Sequence, residues 1–268
     1  MKITPRNKIK EETAGQKREF VLRGLTKGSI GILAGTGGAG KGYFLLNMLD
    51  DKRNFLNNDP YHNLKKKKIA FLNFEDDILT ISSRLGDSQY HDWDFVNCIG
   101  KSIFDEVRID GVVKRILNNR IFDQLKSYDL IIIDTWALAS GIDENDNSTT
   151  SKAMRSLKGW LANSDASLVI VHHTSKSGMS AESATGTSQI RGASALTDNA
   201  RLVALVYPKI IQNGGVKSFS KTNVITEIVK ANYTMKDEQE YVRGEGGVFN
   251  IVNSNSKGLD ANGIVSPF

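Results

Sequence analysis

Five short apolar runs punctuate the chain, at Ile30–Leu33, Ile69–Phe74, Leu130–Ile133, Leu168–Val171 and Leu202–Tyr207, all rich in Ile, Val, Leu and Phe. Runs of this length and composition predict strands buried on both faces. Between them the apolar spacing turns helical, over Tyr43–Leu49, Ile78–Leu85, Val113–Leu125 and Met154–Leu161. In the last of these, Met154, Leu157 and Leu161 fall on one face. Buried strands separated by helices predict βαβ crossovers, and so an α/β fold with a mainly parallel central sheet flanked by helices. Two polar stretches, Gly141–Thr150 and Ser175–Ser188, are expected to be mobile. Residues 1–252 read as a single domain, with 1–28 as its lead-in and 253–268 as a flexible tail.

In such a sheet ligands collect beyond the carboxyl ends of the strands, so the residues after each run carry the functional information. The first run is followed by Gly35-Thr36-Gly37-Gly38-Ala39-Gly40-Lys41, which has the character of a phosphate-binding loop. Its glycines let backbone N–H groups converge on phosphate oxygens, the next helix start adds partial positive charge, and Lys41 reaches the β- and γ-phosphates. Gly37, Gly38, Ala39, Gly40, Lys41 and Gly42 are the expected nucleotide contacts. Gly42 departs from the motif, because a Ser or Thr hydroxyl ordinarily binds Mg²⁺ there. Hydrolysis is therefore expected to be slow, and faster in a Gly42→Ser or Gly42→Thr variant.

After the second run, Glu75 offers a carboxylate beside the loop and is the expected general base, while Asp76 and Asp77 suit the start of a helix near Ile78. Asp134 ends the third run and is expected to hold Mg²⁺, directly or through water. The fourth run leads into His172-His173, whose side chains point to opposite faces of a strand, so that one of the two faces the nucleotide. Arg191, Arg201 and Lys230 are cations suited to phosphate or DNA.

A length of 268 residues is enough for one large α/β domain with an extensive core. The net charge of +5 permits contact with nucleic acid without requiring it, and the densest basic block, Lys65–Lys68, reads as a solvated loop entering a strand. A single cysteine, Cys98, excludes an intramolecular disulfide and any multi-cysteine zinc site. No apolar run approaches the roughly 18 residues needed to span a bilayer, and MKITPRNKIK lacks the apolar segment of a secretory signal. A cytoplasmic protein with no membrane partner is expected.

The order of parts, G-T-G-G-A-G-K, F-E-D-D, L-I-I-I-D-T, V-I-V-H-H-T-S-K, R-G-A-S-A-L-T-D-N-A-R and V-K-A-N-Y, resembles the RepA family of small hexameric replicative DNA helicases of plasmids. The resemblance runs from about Gly28 to Tyr233. It implies a RecA-like P-loop NTPase core in which Lys41 and the amides of Gly38–Gly42 bind ATP, Asp134 governs Mg²⁺ and Glu75 is the catalytic base. It further implies that His173 senses the γ-phosphate, that Arg201 is an arginine finger inserted into the adjacent protomer's site, and that Lys230 is a further nucleotide contact. Residues Ser175–Gln189 would line a central channel for single-stranded DNA. Lys176 and Arg191 are the positive charges in or beside that loop, which has no aromatic residue to stack on bases.

The expected partners are other copies of this chain, as a hexameric ring or helical assembly, single-stranded DNA and other replication proteins. Two functions follow: an ATP-driven helicase for replication of a plasmid or mobile element, and an ATP-binding, weakly hydrolysing assembly or regulatory factor. Gly42 favours the second.

Overall fold

The computed structural model describes residues 4–49, 67–85, 93–143, 145–174, 194–213, 216–234, 238–244 and 249–252. The stretch Ser175–Gln189, Lys176 and Arg191 within or beside it, and the tail 253–268 lie outside the described residues. The chain runs α1 (Arg6–Glu12), β1 (Phe20–Leu22), β2 (Leu25–Thr26), β3 (Ile30–Gly35), α2 (Lys41–Leu49), β4 (Ile69–Asn73), α3 (Ile78–Arg84), β5 (Trp93–Asn97), β6 (Phe104–Ile109), β7 (Val112–Leu117) and α4 (Asn119–Phe122). It continues with β8 (Leu130–Asp134), α5 (Trp136–Ser140), α6 (Asn147–Leu161), β9 (Ser167–His173), α7 (Ser194–Asn199), β10 (Leu202–Asn213), β11 (Val216–Ala231), β12 (Glu238–Arg243) and β13 (Phe249–Ile251).

Nine strands form the central sheet, in the order β13-β12-β11-β10-β3-β9-β8-β4-β5. The half from β10 to β5 is parallel throughout, and β10 to β13 is an antiparallel meander. Each of the five apolar runs is one of its parallel strands, β3, β4, β8, β9 and β10.

The pleat of these strands divides the core in two, because successive side chains point to opposite faces. Ile131 and Ile133 of β8, with Leu168 and Ile170 of β9, pack under Trp136, Met154, Leu157 and Leu196 of α5, α6 and α7. Leu130 and Ile132, with Val169 and Val171, pack instead with Phe44, Leu45 and Ile81 of α2 and α3. The meander closes over that second face: Phe44 meets the rings of Tyr241 and Phe249 edge-on, at 5.8 and 6.1 Å between centroids. Asn47 Oδ1 accepts the backbone N–H of Phe249, fixing β13 to α2.

Two stretches differ from the sequence expectation. Val113–Leu125 is no helix; it is strand β7 followed by the single turn α4. Asp110 and Gly111 both adopt positive φ, 51° and 76°, the combination that closes a two-residue hairpin turn, and β6 pairs with β7 across it. The apolar Val112, Val113 and Ile116 are exposed on this hairpin, so their spacing marks no buried helical face. The expected mobile stretch Gly141–Thr150 enters α6 at Asn147, with Asp146 as N-cap accepting the Thr149 N–H at 2.9 Å. Asn147 Oδ1 accepts the Ala195 N–H, which ties the start of α6 to α7. Among the described residues no helix is long and apolar enough to cross a membrane.

At the end of β3 the backbone of β10 comes so close that a Cβ on Gly35 would lie 2.2 Å from the Val206 carbonyl oxygen. Gly35→Ala is expected to lower stability by roughly 1–3 kcal/mol or more, since backbone must move to admit the methyl group. Urea unfolding checks this, and an unchanged midpoint would contradict the close approach.

Candidate functional site

Four adjacent strands, β3, β9, β8 and β4, each deliver one functional group at their carboxyl ends. Strand parity explains why these groups meet. Residue 134 shares a face with Leu130 and Ile132, and residue 173 with Val169 and Val171, so Asp134 and His173 both emerge on the side covered by α2. His172 takes the other face and is buried at 1% exposure. Of the two histidines, His173 is thus the one beside the loop.

The loop leaves β3 at Gly35 and enters α2 at Lys41, with Gly38 and Gly40 at φ of 75° and 88°, where a Cβ would be strained. Lys41 is folded inward. Its Nζ donates to the carbonyl oxygens of Gly35 and Thr36, both at 2.9 Å, and stands 3.5 Å from His173 Nδ1. Burial pulls its pKa below the usual lysine value, with Asp134 and Glu75 acting in the opposite direction.

Asp134 is 6% exposed, and its pKa is pushed up to about 7 by burial first and by Glu75 and Asp76 after it; Lys41 and Arg84 counter part of the rise. Glu75 is more open and lies 3.9 Å from His173 Nε2, an ion-pair distance rather than a hydrogen bond. His173, and with it Lys41 and Arg84, holds Glu75 below the ordinary carboxylate range against the opposing effect of burial. Two carboxylates and a lysine thus face one another with their charges only partly balanced. A cation beside Asp134 would offset the excess negative charge.

Two contributors escape sequence reasoning. Asn73, fully buried at the end of β4 and paired in register with Asp134, bonds through its side-chain amide to both backbone groups of Asp76 and so shapes the turn that presents Glu75. The visible signal is an amide in an otherwise apolar run. Arg84, at the end of α3, pairs bidentately with Asp76, the second contact at 3.2 Å. Its guanidinium also sits against α2: a Cβ on Gly42 would lie 2.8 Å from Nη1. Asp77 serves as the N-cap of α3, accepting from Leu79 N and Thr80 N, which leaves Glu75 as the acidic group of the triplet next to His173.

Arg201 and Lys230 lie elsewhere. The Arg201 N–H bonds to the Ile30 carbonyl at the amino end of β3, roughly 16 Å of strand away from Gly35 at the usual rise per residue. Lys230 Nζ donates to the Thr197 carbonyl at 2.6 Å, and Lys158 Nζ to Asn199 Oδ1 at 2.7 Å, both at the end of α7. Burial and then the charges of Arg201 and Lys230 lower the pKa of Lys158, which marks the three as one basic cluster. Within a single chain neither Arg201 nor Lys230 joins the phosphate loop.

Residues 7–179, most of the chain and including Lys41, Glu75, Asp134 and His173, match the family model described as AAA domain. The chain belongs to the AAA domain family. No curated protein matches this AAA domain in sequence. Among solved structures it is similar to the ATPase domain of G40P, with a TM-score of 0.60 and 16% identity over 92% of this chain and 95% of that one. It is also similar to a DnaB-like replicative helicase whose structure is described with its interactions with primase, with a TM-score of 0.59 and 15% identity over 93% of this chain and 67% of that one. At such identities the likeness is one of fold, and the fold is that of RecA-like helicase ATPase domains.

The raised pKa of Asp134 in this AAA domain has a consequence for stability. Between about pH 4 and pH 7 the folded chain keeps a proton on Asp134 that the unfolded chain releases, so stability falls as pH rises through that window. Asp134→Asn removes this loss. In EDTA the variant is expected to melt above the wild type at pH 8, with the gap closing towards pH 4. Thermal melts across that range check it, and a gap independent of pH would contradict it.

Proposed function

We propose that this chain binds and hydrolyses ATP as the motor of a DNA helicase that acts on single-stranded DNA as a ring-shaped homo-oligomer, a hexamer, in the manner of the plasmid RepA family. The observation that carries the reading is the convergence of Lys41, Glu75, Asp134 and His173 at the ends of four adjacent strands, beside a glycine loop that opens a helix. The loop amides of Gly37 to Gly42 and the α2 N-terminus bind the phosphates, and Lys41 exchanges the carbonyls of Gly35 and Thr36 for phosphate oxygens. Glu75, held ionised, accepts a proton from the attacking water. His173, between Lys41 and Glu75, registers loss of the terminal phosphate.

The donors suit magnesium in one respect: Asp134 is kept from ionising by burial and by Glu75, a tension that a cation relieves. Among the described residues no three His, Cys, Asp or Glu side chains gather as a metal cluster, and Asp134 is the residue proposed to hold the ion beside the phosphates. Magnesium, when bound, supplies positive charge to the phosphate oxygens.

Arg201 and Lys230 lie at the other end of the strands from the loop, which supports a role in the site of a neighbouring copy. Lys176 and Arg191 are proposed to track the DNA backbone. One observation favours the second reading, a slowly hydrolysing assembly or regulatory factor for DNA replication: Gly42 offers no hydroxyl.

Fluorescent ATP is expected to bind saturably, with Lys41→Ala losing at least tenfold in affinity. Glu75→Gln is expected to keep binding and to lose turnover by roughly 10²–10⁴-fold. Glu75→Gln and Arg201→Ala are each expected to be inactive alone, yet to regain activity when mixed, since up to about a quarter of junctions then carry both intact groups. No recovery, with both variants oligomeric, would rule out Arg201 acting in trans. Unwinding of a forked duplex that requires hydrolysable ATP separates the motor from the assembly factor.

A further inference from the structure

The side chain missing at position 42 has left room for another group. A Cβ there would lie 2.8 Å from Arg84 Nη1, so the guanidinium already stands where a P-loop Ser or Thr would place its side chain. Arg84 arrives from α3 and is held there by both oxygens of Asp76. The ring of Tyr43, the next residue of α2, lies 5.4 Å from the Arg84 guanidinium and 4.2 Å from that of Arg243, so positive charge gathers at the first turn of this helix. The Arg84 side chain is 21% exposed and therefore open to a ligand. Its charge is felt at both Glu75 and Asp134, which places it within electrostatic reach of the carboxylates of the site.

We propose that Arg84 is a phosphate-binding residue that replaces the lost hydroxyl, so that a fixed guanidinium supplies part of the positive charge that a P-loop otherwise recruits with Mg²⁺. This rests on the nucleotide-binding reading above. A guanidinium bonds bidentately to phosphate oxygens and never loses its charge at working pH, so it needs no metal to be effective. Asp76 then acts as a holder, sharing or releasing the guanidinium when phosphate arrives. Gly42 becomes part of the design, because any side chain there would push the guanidinium aside.

The test is the affinity of fluorescent ATP measured in EDTA and in Mg²⁺, with circular dichroism to verify folding of each variant. Wild-type affinity is expected to fall by no more than about threefold on removing Mg²⁺. Arg84→Ala should lose at least tenfold in EDTA and become strongly dependent on Mg²⁺. Gly42→Ser displaces only the end of a flexible side chain, so it should fold and shift binding towards dependence on Mg²⁺. Adding Gly42→Ser to Arg84→Ala should restore affinity in Mg²⁺ but not in EDTA.

Asp76→Asn distinguishes a ligand contact from a strut. If Arg84 served only to hold α3 through Asp76, both single variants would weaken ATP binding alike, with and without Mg²⁺; a phosphate contact makes the loss in Arg84→Ala several times that in Asp76→Asn, which loses only the holder, and larger in EDTA than in Mg²⁺. Wild type that binds ATP and loses it with Lys41→Ala, beside an Arg84→Ala protein indistinguishable from wild type in EDTA, would overturn this proposal alone. Wild type with no saturable ATP binding in either condition would overturn the nucleotide reading and this proposal together.

Discussion

A buried ammonium set against two carboxylates is the constraint on which the rest of the molecule depends. Lys41 is 7% exposed and Asp134 6%, so each is disfavoured as an ion by its surroundings and supported by the other. Such a group is tolerable only where the backbone around it is fixed. The close approach of β3 and β10 at Gly35, the carbonyls that hold Lys41 and the buried amide of Asn73 provide that fixity. The apolar layers on either side of the sheet are what make burial possible at all.

The sequence shows most clearly what depends on local pattern. Each apolar run is a parallel strand because uninterrupted Ile, Val and Leu have no polar face to present to water, and the alternation of strand and helix leaves a layered α/β fold as the natural packing. Strand parity then separates His172 from His173 and assigns the nearer one to the loop. Composition is less informative about β6, β7 and the meander. Val113 to Leu117 carries apolar residues that fit a helix as well as a strand, and the deciding feature is a two-residue turn at Asp110-Gly111. Long-range contacts are further from view: the pairing of Asp76 with Arg84 and the approach of Arg84 to Gly42 depend on how α3 lies across α2, which no spacing in the chain encodes.

The charges also divide the chain into two ends. The phosphate loop and its acidic pair occupy the carboxyl end of the strands, while Arg201, Lys230 and the neighbouring Lys158 collect around the end of α7. Lys230 is held by the Thr197 and Asp198 carbonyls of α7 and Lys158 by the Asn199 side-chain amide, while the acidic pair lies at the loop end of the strands.

The meander does more than extend the sheet. Phe249, fully buried, packs so close to the loop that a Cβ on Gly40 would lie 3.3 Å from its ring, and its backbone is fastened to Asn47 two turns along the same helix. The last described strand is thus a wedge behind the phosphate loop. A displacement of β13 would therefore be felt at two points at once, at Asn47 of α2 through one hydrogen bond and at Gly40 of the loop through the edge of one aromatic ring, so that the sheet margin and the glycine loop cannot shift independently.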